Sequence, residues 1–206
     1  MILRNDFYTT AACAILIFLL CLKVIVASQL SLFEDEAVYW SWSRSIDPSY
    51  SLTTLASILF STFLIGSESE FAVRLPAIMN GIFLMFILYA SGKLLGAGRR
   101  KIFAGILFFM SVPFVTAYTF SITPDSHLLL FCSLTIYFAL RIIRFNKKRD
   151  WFFCGISIGL AILSKYHGFI LAGSVLMYLI HYSRSSPGFL SRISIMISAI
   201  IAVISP

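Results

Sequence analysis

Long apolar runs alternate with short polar segments along almost the whole chain. The runs cover residues 8–28, 70–91, 102–120, 126–143, 151–164, 168–182 and 190–205. A helix needs about 20 apolar residues to cross a bilayer, so this pattern predicts an all-α, polytopic transmembrane protein with about seven spans. A further run, 52–65, is only about 14 residues long, and it predicts an interfacial or re-entrant helix in the first outer loop.

The first run has a competing interpretation, which is a cleaved signal peptide. Lys23 lies inside this run, however, at a position where a signal peptide would be apolar. We therefore expect an uncleaved first helix, with the Lys23 side chain extended toward the outer surface.

The overall composition agrees with a membrane protein. The 206 residues are 59% hydrophobic, with a mean hydropathy of +0.92, which no soluble domain of this size requires. The net charge of +7 does not indicate nucleic-acid binding, because the basic residues form short clusters between apolar runs. The four cysteines lie inside apolar runs without CxxC spacing, which predicts free thiols rather than disulfides or a metal site.

The basic residues predict the orientation of the chain. With the N-terminus in the cytoplasm and 52–65 not crossing, most of the 16 lysines and arginines fall in cytoplasmic loops, as the positive-inside rule requires. These are Arg4, the cluster from Lys93 to Lys101, the cluster from Arg141 to Arg149, Arg184 and Arg192. Most acids fall outside, so we expect a multi-pass protein of the cytoplasmic (inner) membrane whose active site faces outward.

An acidic and aromatic stretch follows the first run. Glu34, Asp35 and Glu36 are followed by Tyr39, Trp40 and Trp42, and such aromatic residues suit the level of the lipid headgroups. In a helix over 35–46, Asp35, Tyr39 and Trp42 would share one face. Asp35 is then either a solvated loop acid or a general base that accepts a proton from an acceptor hydroxyl.

Three further charged residues are candidates for an outer site. Arg74 could clamp a phosphate with its guanidinium fork, or it could anchor to headgroups or pair with Glu68 or Glu70. Asp125 follows Thr123-Pro124 and could cap the next helix. Lys165, beside Tyr166, could be an interfacial anchor or could neutralise a phosphate leaving group. His127 and His167 are isolated, and no histidine pair has zinc-ligand spacing.

The ordered set of these segments resembles the membrane glycosyltransferases of the GT-C type, specifically the protein O-mannosyltransferase and lipid A aminoarabinose transferase group. The matching segments are Asp35-Glu36-Ala37-Val38-Tyr39-Trp40-Ser41-Trp42-Ser43-Arg44, Gly66-Ser67-Glu68-Ser69-Glu70-Phe71-Ala72-Val73-Arg74-Leu75-Pro76, Thr123-Pro124-Asp125 and Ser164-Lys165-Tyr166.

The resemblance implies transfer of a sugar from a polyprenyl-phosphate carrier to an acceptor outside the cytoplasmic membrane. It implies that Asp35 is the catalytic base, with Glu36 beside it. It also implies that Arg74 and Lys165 bind the lipid phosphate, and that Asp125 and Tyr166 belong to the substrate-binding set. The expected partners are membrane lipid and the polyprenyl-phosphate sugar. The sugar, the acceptor, any divalent-metal requirement and the oligomeric state stay open.

The resemblance also has limits. Leu52-Thr53-Thr54 stands where family members carry a charged residue followed by two prolines. Residues 1–206 correspond to one transmembrane glycosyltransferase domain in its N-terminal part, so we expect a truncated chain with little or no transfer activity by itself. Two alternatives remain, a transporter or carrier subunit and a non-catalytic membrane protein. Transporter sites tend to lie at the bilayer midplane, whereas these charges lie near the outer surface.

Overall fold

The computed structural model describes residues 2–44, 69–183 and 188–205. The first part contains α1 (Ile2–Ala27) and α2 (Glu34–Arg44). The second contains α3 (Glu70–Leu94), α4 (Arg99–Met110), α5 (Pro113–Tyr118), α6 (Pro124–Phe145), α7 (Lys148–Ser164) and α8 (Gly168–Ser183). The third contains α9 (Phe189–Ile204).

The predicted all-α class is confirmed for the described residues, but the seven predicted spans are not. Within the described ranges, three helices are long and apolar enough to cross a membrane, over Phe7–Ala27, Glu70–Leu94 and Pro124–Phe145. The apolar segments Gly168–Tyr182 and Phe189–Ile204 form shorter helices. The predicted interfacial helix over 52–65 lies outside the described residues.

The run 102–120, predicted as one span, is divided into α4 and α5. Proline disfavours a helical conformation in the residue before it, and Val112 is extended, with φ −65° and ψ 127°, immediately before Pro113. Pro113 then starts α5 as its first residue, where its missing N–H costs no hydrogen bond. The Thr116 hydroxyl donates to the Met110 carbonyl oxygen at 2.8 Å, which satisfies one of the acceptors left at the break.

Contacts between helix ends define two ends of the bundle. At one end, the Arg100 guanidinium lies 4.1 Å from the centroid of the Tyr8 ring, and Arg144 donates to the Leu94 carbonyl oxygen. At the other end, Arg74 at the start of α3 contacts the backbone that follows α1. The end of α1 and the start of α3 therefore lie together. The basic clusters predicted to be cytoplasmic occupy the opposite end.

Close packing of α7 against α9 depends on two glycines one helical turn apart. A Cβ atom on Gly159 would lie 2.7 Å from the Val203 Cβ, and one on Gly155 would collide with the Met196 carbonyl oxygen. Small residues at this spacing let transmembrane helices approach closely. The same region contains a core of buried side chains from α6 to α9, including Trp151, Ile158 and Leu179. This half of the bundle supports the loop that carries Lys165.

Candidate active site

Helix α2 presents two neighbouring acids to different surroundings. Glu36 is fully buried and Asp35 is exposed, because consecutive helical residues point about 100° apart. The Glu36 carboxylate also accepts a hydrogen bond from the Phe33 backbone N–H at 3.0 Å, which fixes the first turn of the helix. The burial of Glu36 therefore determines where Asp35 points.

Arg74 is the partner of Glu36. Its Nε and Nη2 atoms lie 2.7–3.1 Å from the Glu36 carboxylate oxygens, and both side chains are fully buried. Nη1 donates to the carbonyl oxygens of Ala27 at 3.2 Å and Leu30 at 2.7 Å, and Nη2 donates to that of Ser31 at 2.8 Å. The guanidinium thus joins the end of α1, the start of α2 and α3.

The sequence predicted that Arg74 binds the lipid phosphate and that Glu36 belongs to the catalytic pair, whereas in the structure the two side chains bond to each other. A guanidinium has five N–H donors, and here each of them bonds to the protein, so Arg74 presents none to a lipid phosphate in this conformation. Phe33 and Phe120 enclose it further, with ring centroids 5.5 and 5.1 Å from the guanidinium carbon. Arg74 pairs with Glu36 rather than with Glu70, and Glu68 lies outside the described residues. Arg74 and Glu36 here form a structural tie.

The second ion pair at this end is open to solvent. Lys165 Nζ lies 2.9 Å from both carboxylate oxygens of Asp125, and about a quarter to a third of each side chain is exposed. The hydrogen bond to Asp125 raises the pKa of Lys165, which therefore stays protonated at neutral pH. Asp125 does not cap α6, because Thr123 occupies the N-cap position and Pro124 the first helical position.

Tyr39 links these groups to Asp35. Burial raises the pKa of the Tyr39 hydroxyl, and the charges of Asp35 and Asp125 raise it further, while Lys165 acts in the opposite direction. All three charged groups therefore act on the pKa of this hydroxyl. The sequence predicted Asp35, Asp125 and Lys165 as members of one site but did not include Tyr39, although its spacing of four residues from Asp35 indicates a shared helix face.

Tyr166 lies beside this group but is exposed, and its ring stacks near that of His167 with centroids 4.2 Å apart. Beneath Asp125, the buried Asn80 side chain of α3 donates to the Ser126 hydroxyl at 3.2 Å. This bond connects α3 to the first turn of α6, and it was not predicted because the residues are far apart in sequence. Within the described ranges, no three potential metal ligands lie together.

Comparison with known proteins adds one finding to this geometry. The family model described as dolichyl-phosphate-mannose-protein mannosyltransferase matches residues 51–206. No curated protein and no solved structure matches the chain. The matched range includes Arg74, Asp125, Lys165 and Tyr166, and it begins after α2, which carries Asp35 and Glu36.

Proposed function

Because the chain belongs to the dolichyl-phosphate-mannose-protein mannosyltransferase family, a family of GT-C type membrane glycosyltransferases, we propose that it uses a polyprenyl-phosphate-linked sugar as its donor. The acceptor is a lipid, glycan or protein hydroxyl on the outer side of the cytoplasmic membrane. The active site of this proposal is the group formed by Asp35, Tyr39, Asp125 and Lys165.

One observation supports the proposal most strongly. The carboxylates of Asp35 and Asp125 and the Lys165 ammonium come from three distant parts of the chain and lie, at least partly exposed, at the same end of an apolar helical bundle. Exposed ion pairs of this kind add little to stability, so folding alone gives little reason to bring them together. A base and a cation at the same end of the bundle are the two groups that sugar transfer from a phosphate carrier requires.

The proposed reaction uses these groups as follows. The acceptor oxygen attacks the anomeric carbon of the donor sugar while its proton passes to Asp35. The bond between the anomeric carbon and the phosphate oxygen breaks, and the phosphate leaves with the electron pair. Lys165 stabilises the charge that develops on this oxygen, so the leaving group needs no proton. Asp125 holds the ammonium in position, and the Tyr39 hydroxyl donates a hydrogen bond to a substrate oxygen.

The tie between Glu36 and Arg74 has a positioning role in this proposal. It fixes the start of α2 against the end of α1 and the start of α3, and so determines the position of Asp35 relative to Asp125 and Lys165. A displacement of about 1 Å in such a group can lower a rate a hundredfold.

Donor binding by the chain itself tests the proposal. A polyprenyl-phosphate sugar with a photoreactive group in its lipid would be crosslinked to the purified protein in detergent, with excess unlabelled donor as competitor. We expect saturable labelling that Lys165→Met reduces about tenfold, as the loss of a charge-assisted bond predicts. Lys93→Met, which removes an exposed lysine at the opposite end, is the matched control and should leave labelling unchanged.

Turnover would be measured for the chain and for a chimera in which the C-terminal helices of a full-length family member follow it. Labelled sugar on an acceptor hydroxyl is the readout. A photoreactive polyprenol without phosphate serves as the reference for labelling. The proposed donor would be excluded if it labelled the chain no more strongly than this reference and if the chimera transferred no sugar.

A further inference from the structure

A cavity with four polar residues in its wall lies between helices of the bundle. Its volume is about 290 Å³, and it lies between α1, α3 and the break between α4 and α5. Its polar walls are Lys23, Ser111, Thr116 and Thr119. Within a membrane, irregular backbone is tolerated where it is buried in protein or lines a cavity, and here the interrupted helix lines one.

Lys23 gives this cavity its charge. Its Nζ donates to the Thr119 hydroxyl at 2.5 Å and lies 3.4 Å from the Thr116 carbonyl oxygen. Lys23, which the sequence predicted to extend toward the outer surface, contacts α5 and the residue that follows it. An ammonium has three N–H donors, so a third can serve a ligand. Among the described residues, no carboxylate pairs with Lys23.

A second cavity shares part of its wall with the first. It measures about 440 Å³, and both cavities are lined by Leu16, Leu20 and Met85. Its other walls include Ile82, Phe86 and Phe103, so it is apolar. Along α1 it extends from Leu20 to Cys13, toward the end of the bundle that carries the Tyr8–Arg100 contact.

We propose that these two cavities together bind one anionic phospholipid of the surrounding bilayer, separately from the sugar donor. The phosphate lies at the Lys23 ammonium, and one acyl chain occupies the apolar cavity. Two observations identify this ligand. An ionised lysine within a transmembrane helix is costly without an opposite charge, and the cavity that holds Lys23 shares wall residues with an apolar cavity that suits a hydrocarbon chain.

The position of Lys23 also fits a lipid of one leaflet. It precedes the end of α1 by four residues, or about 6 Å along the helix axis. A headgroup there lies near the membrane surface, and its chain points toward the bilayer centre. None of the residues that line the two cavities belongs to the group of Asp35, Tyr39, Asp125 and Lys165.

Native mass spectrometry of the purified chain tests the proposal. The protein would be transferred from mixed micelles that contain equal amounts of phosphatidylglycerol and phosphatidylcholine. We expect one retained phosphatidylglycerol per chain, preferred about tenfold over phosphatidylcholine, whose own ammonium partly offsets its phosphate. Lys23→Leu should remove this preference, whereas Lys93→Leu, which removes an exposed lysine elsewhere, should retain it.

A second variant tests the acyl-chain part of the site without changing charge. Leu20→Trp fills the wall shared by both cavities and should reduce retention of both lipids, while Ile17→Trp, which lines only the apolar cavity, should reduce it less. Size-exclusion chromatography would verify that each variant is folded. Equal retention of the two lipids by the unaltered chain, or unchanged preference in Lys23→Leu, would overturn the proposal.

Competition with a polyprenyl phosphate separates this site from the donor site. We expect an equimolar amount of polyprenyl phosphate to leave phosphatidylglycerol bound. Stoichiometric displacement that depends on Lys23 would instead assign the cavities to the donor, and the proposal of a separate phospholipid site would be wrong.

Discussion

The buried pair of Glu36 and Arg74 permits the sharpest prediction, because two roles for Arg74 have opposite consequences. If Arg74 holds α1, α2 and α3 together, Arg74→Ala leaves a buried carboxylate without its partner and three carbonyl oxygens without their donor. Breaking a buried ion pair typically costs about 3–5 kcal/mol of unfolding free energy. If Arg74 instead binds lipid phosphate, the same change lowers donor affinity and leaves stability nearly unchanged.

Arg74→Lys shows how much of the loss in unfolding free energy comes from the hydrogen bonds and not from the charge. The charge is kept, but an ammonium has three donors where the guanidinium supplies five, so at least two of the acceptors lose a bond. With about 1–3 kcal/mol for each buried acceptor left unsatisfied, we expect a loss of at least about 2 kcal/mol. A lysine would still serve a phosphate as a point charge, so a binding role predicts a milder effect.

The double variant Glu36→Gln with Arg74→Met completes the test. The penalty of each single change comes mainly from the charge left behind, so removing both charges should recover part of the loss. We expect a coupling free energy of about 2 kcal/mol between the two positions. Arg100→Ala, which removes only an exposed contact with Tyr8, is the control and should cost about 1 kcal/mol or less.

Equilibrium unfolding in mixed micelles, followed by tryptophan fluorescence, is a suitable assay because α2 carries Trp40 and Trp42. Donor crosslinking would be measured on the same preparations under conditions where each variant is folded. A stability of Arg74→Ala within 1 kcal/mol of the parent, combined with a large loss of donor binding, would refute the structural role assigned to this pair.

Three further predictions concern the active site and the bundle. Asp35→Asn should lower the turnover of the active chimera by about 10²–10⁴, the usual contribution of a general base, while donor crosslinking stays unchanged. Turnover close to that of the parent would show that Asp35 is a solvated acid and not the base. Because the bond to Asp125 raises the pKa of Lys165 in the folded state, its contribution to stability is complete below the ordinary pKa of about 10.5 and is lost as the pH rises through the raised value. Unfolding measured from pH 8 to 12 should therefore show an alkaline loss, below about 1 kcal/mol for such an exposed pair, that is absent in Asp125→Asn. Gly159→Ile should separate α7 from α9 and lower the unfolding free energy by about 2 kcal/mol or more, as overpacking does, whereas Gly173→Ile, where a Cβ meets nothing within 4 Å, should have little effect.

Features set by local sequence could be predicted, and those set by distant contacts could not. The apolar runs predicted most helices because their length and composition are local properties. Pro113 lies between apolar residues, so the run 102–120 was predicted as one span and the break between α4 and α5 was not predicted. The sequence suggested Glu68 or Glu70 as partners for Arg74 because they are near in the chain, whereas folding brings Glu36 to it from 38 positions away. The pairing of Asp125 with Lys165 is similarly remote.

The adjacency of Asp35 and Glu36 connects these observations. Consecutive helical residues point about 100° apart, so anchoring the Glu36 side chain determines the direction of Asp35. Arg74 anchors Glu36 in the interior with bonds that also fix the turn after α1, and this leaves Asp35 on the face that carries Tyr39. Glu36, which holds the helix in place, and Asp35, the proposed base, are therefore adjacent residues. Glu36→Gln weakens the bond to Arg74 without removing the Asp35 carboxylate, so it should lower turnover by displacing Asp35. Restoring turnover by a compensating change at Arg74 would distinguish this positioning role from direct catalysis by Glu36.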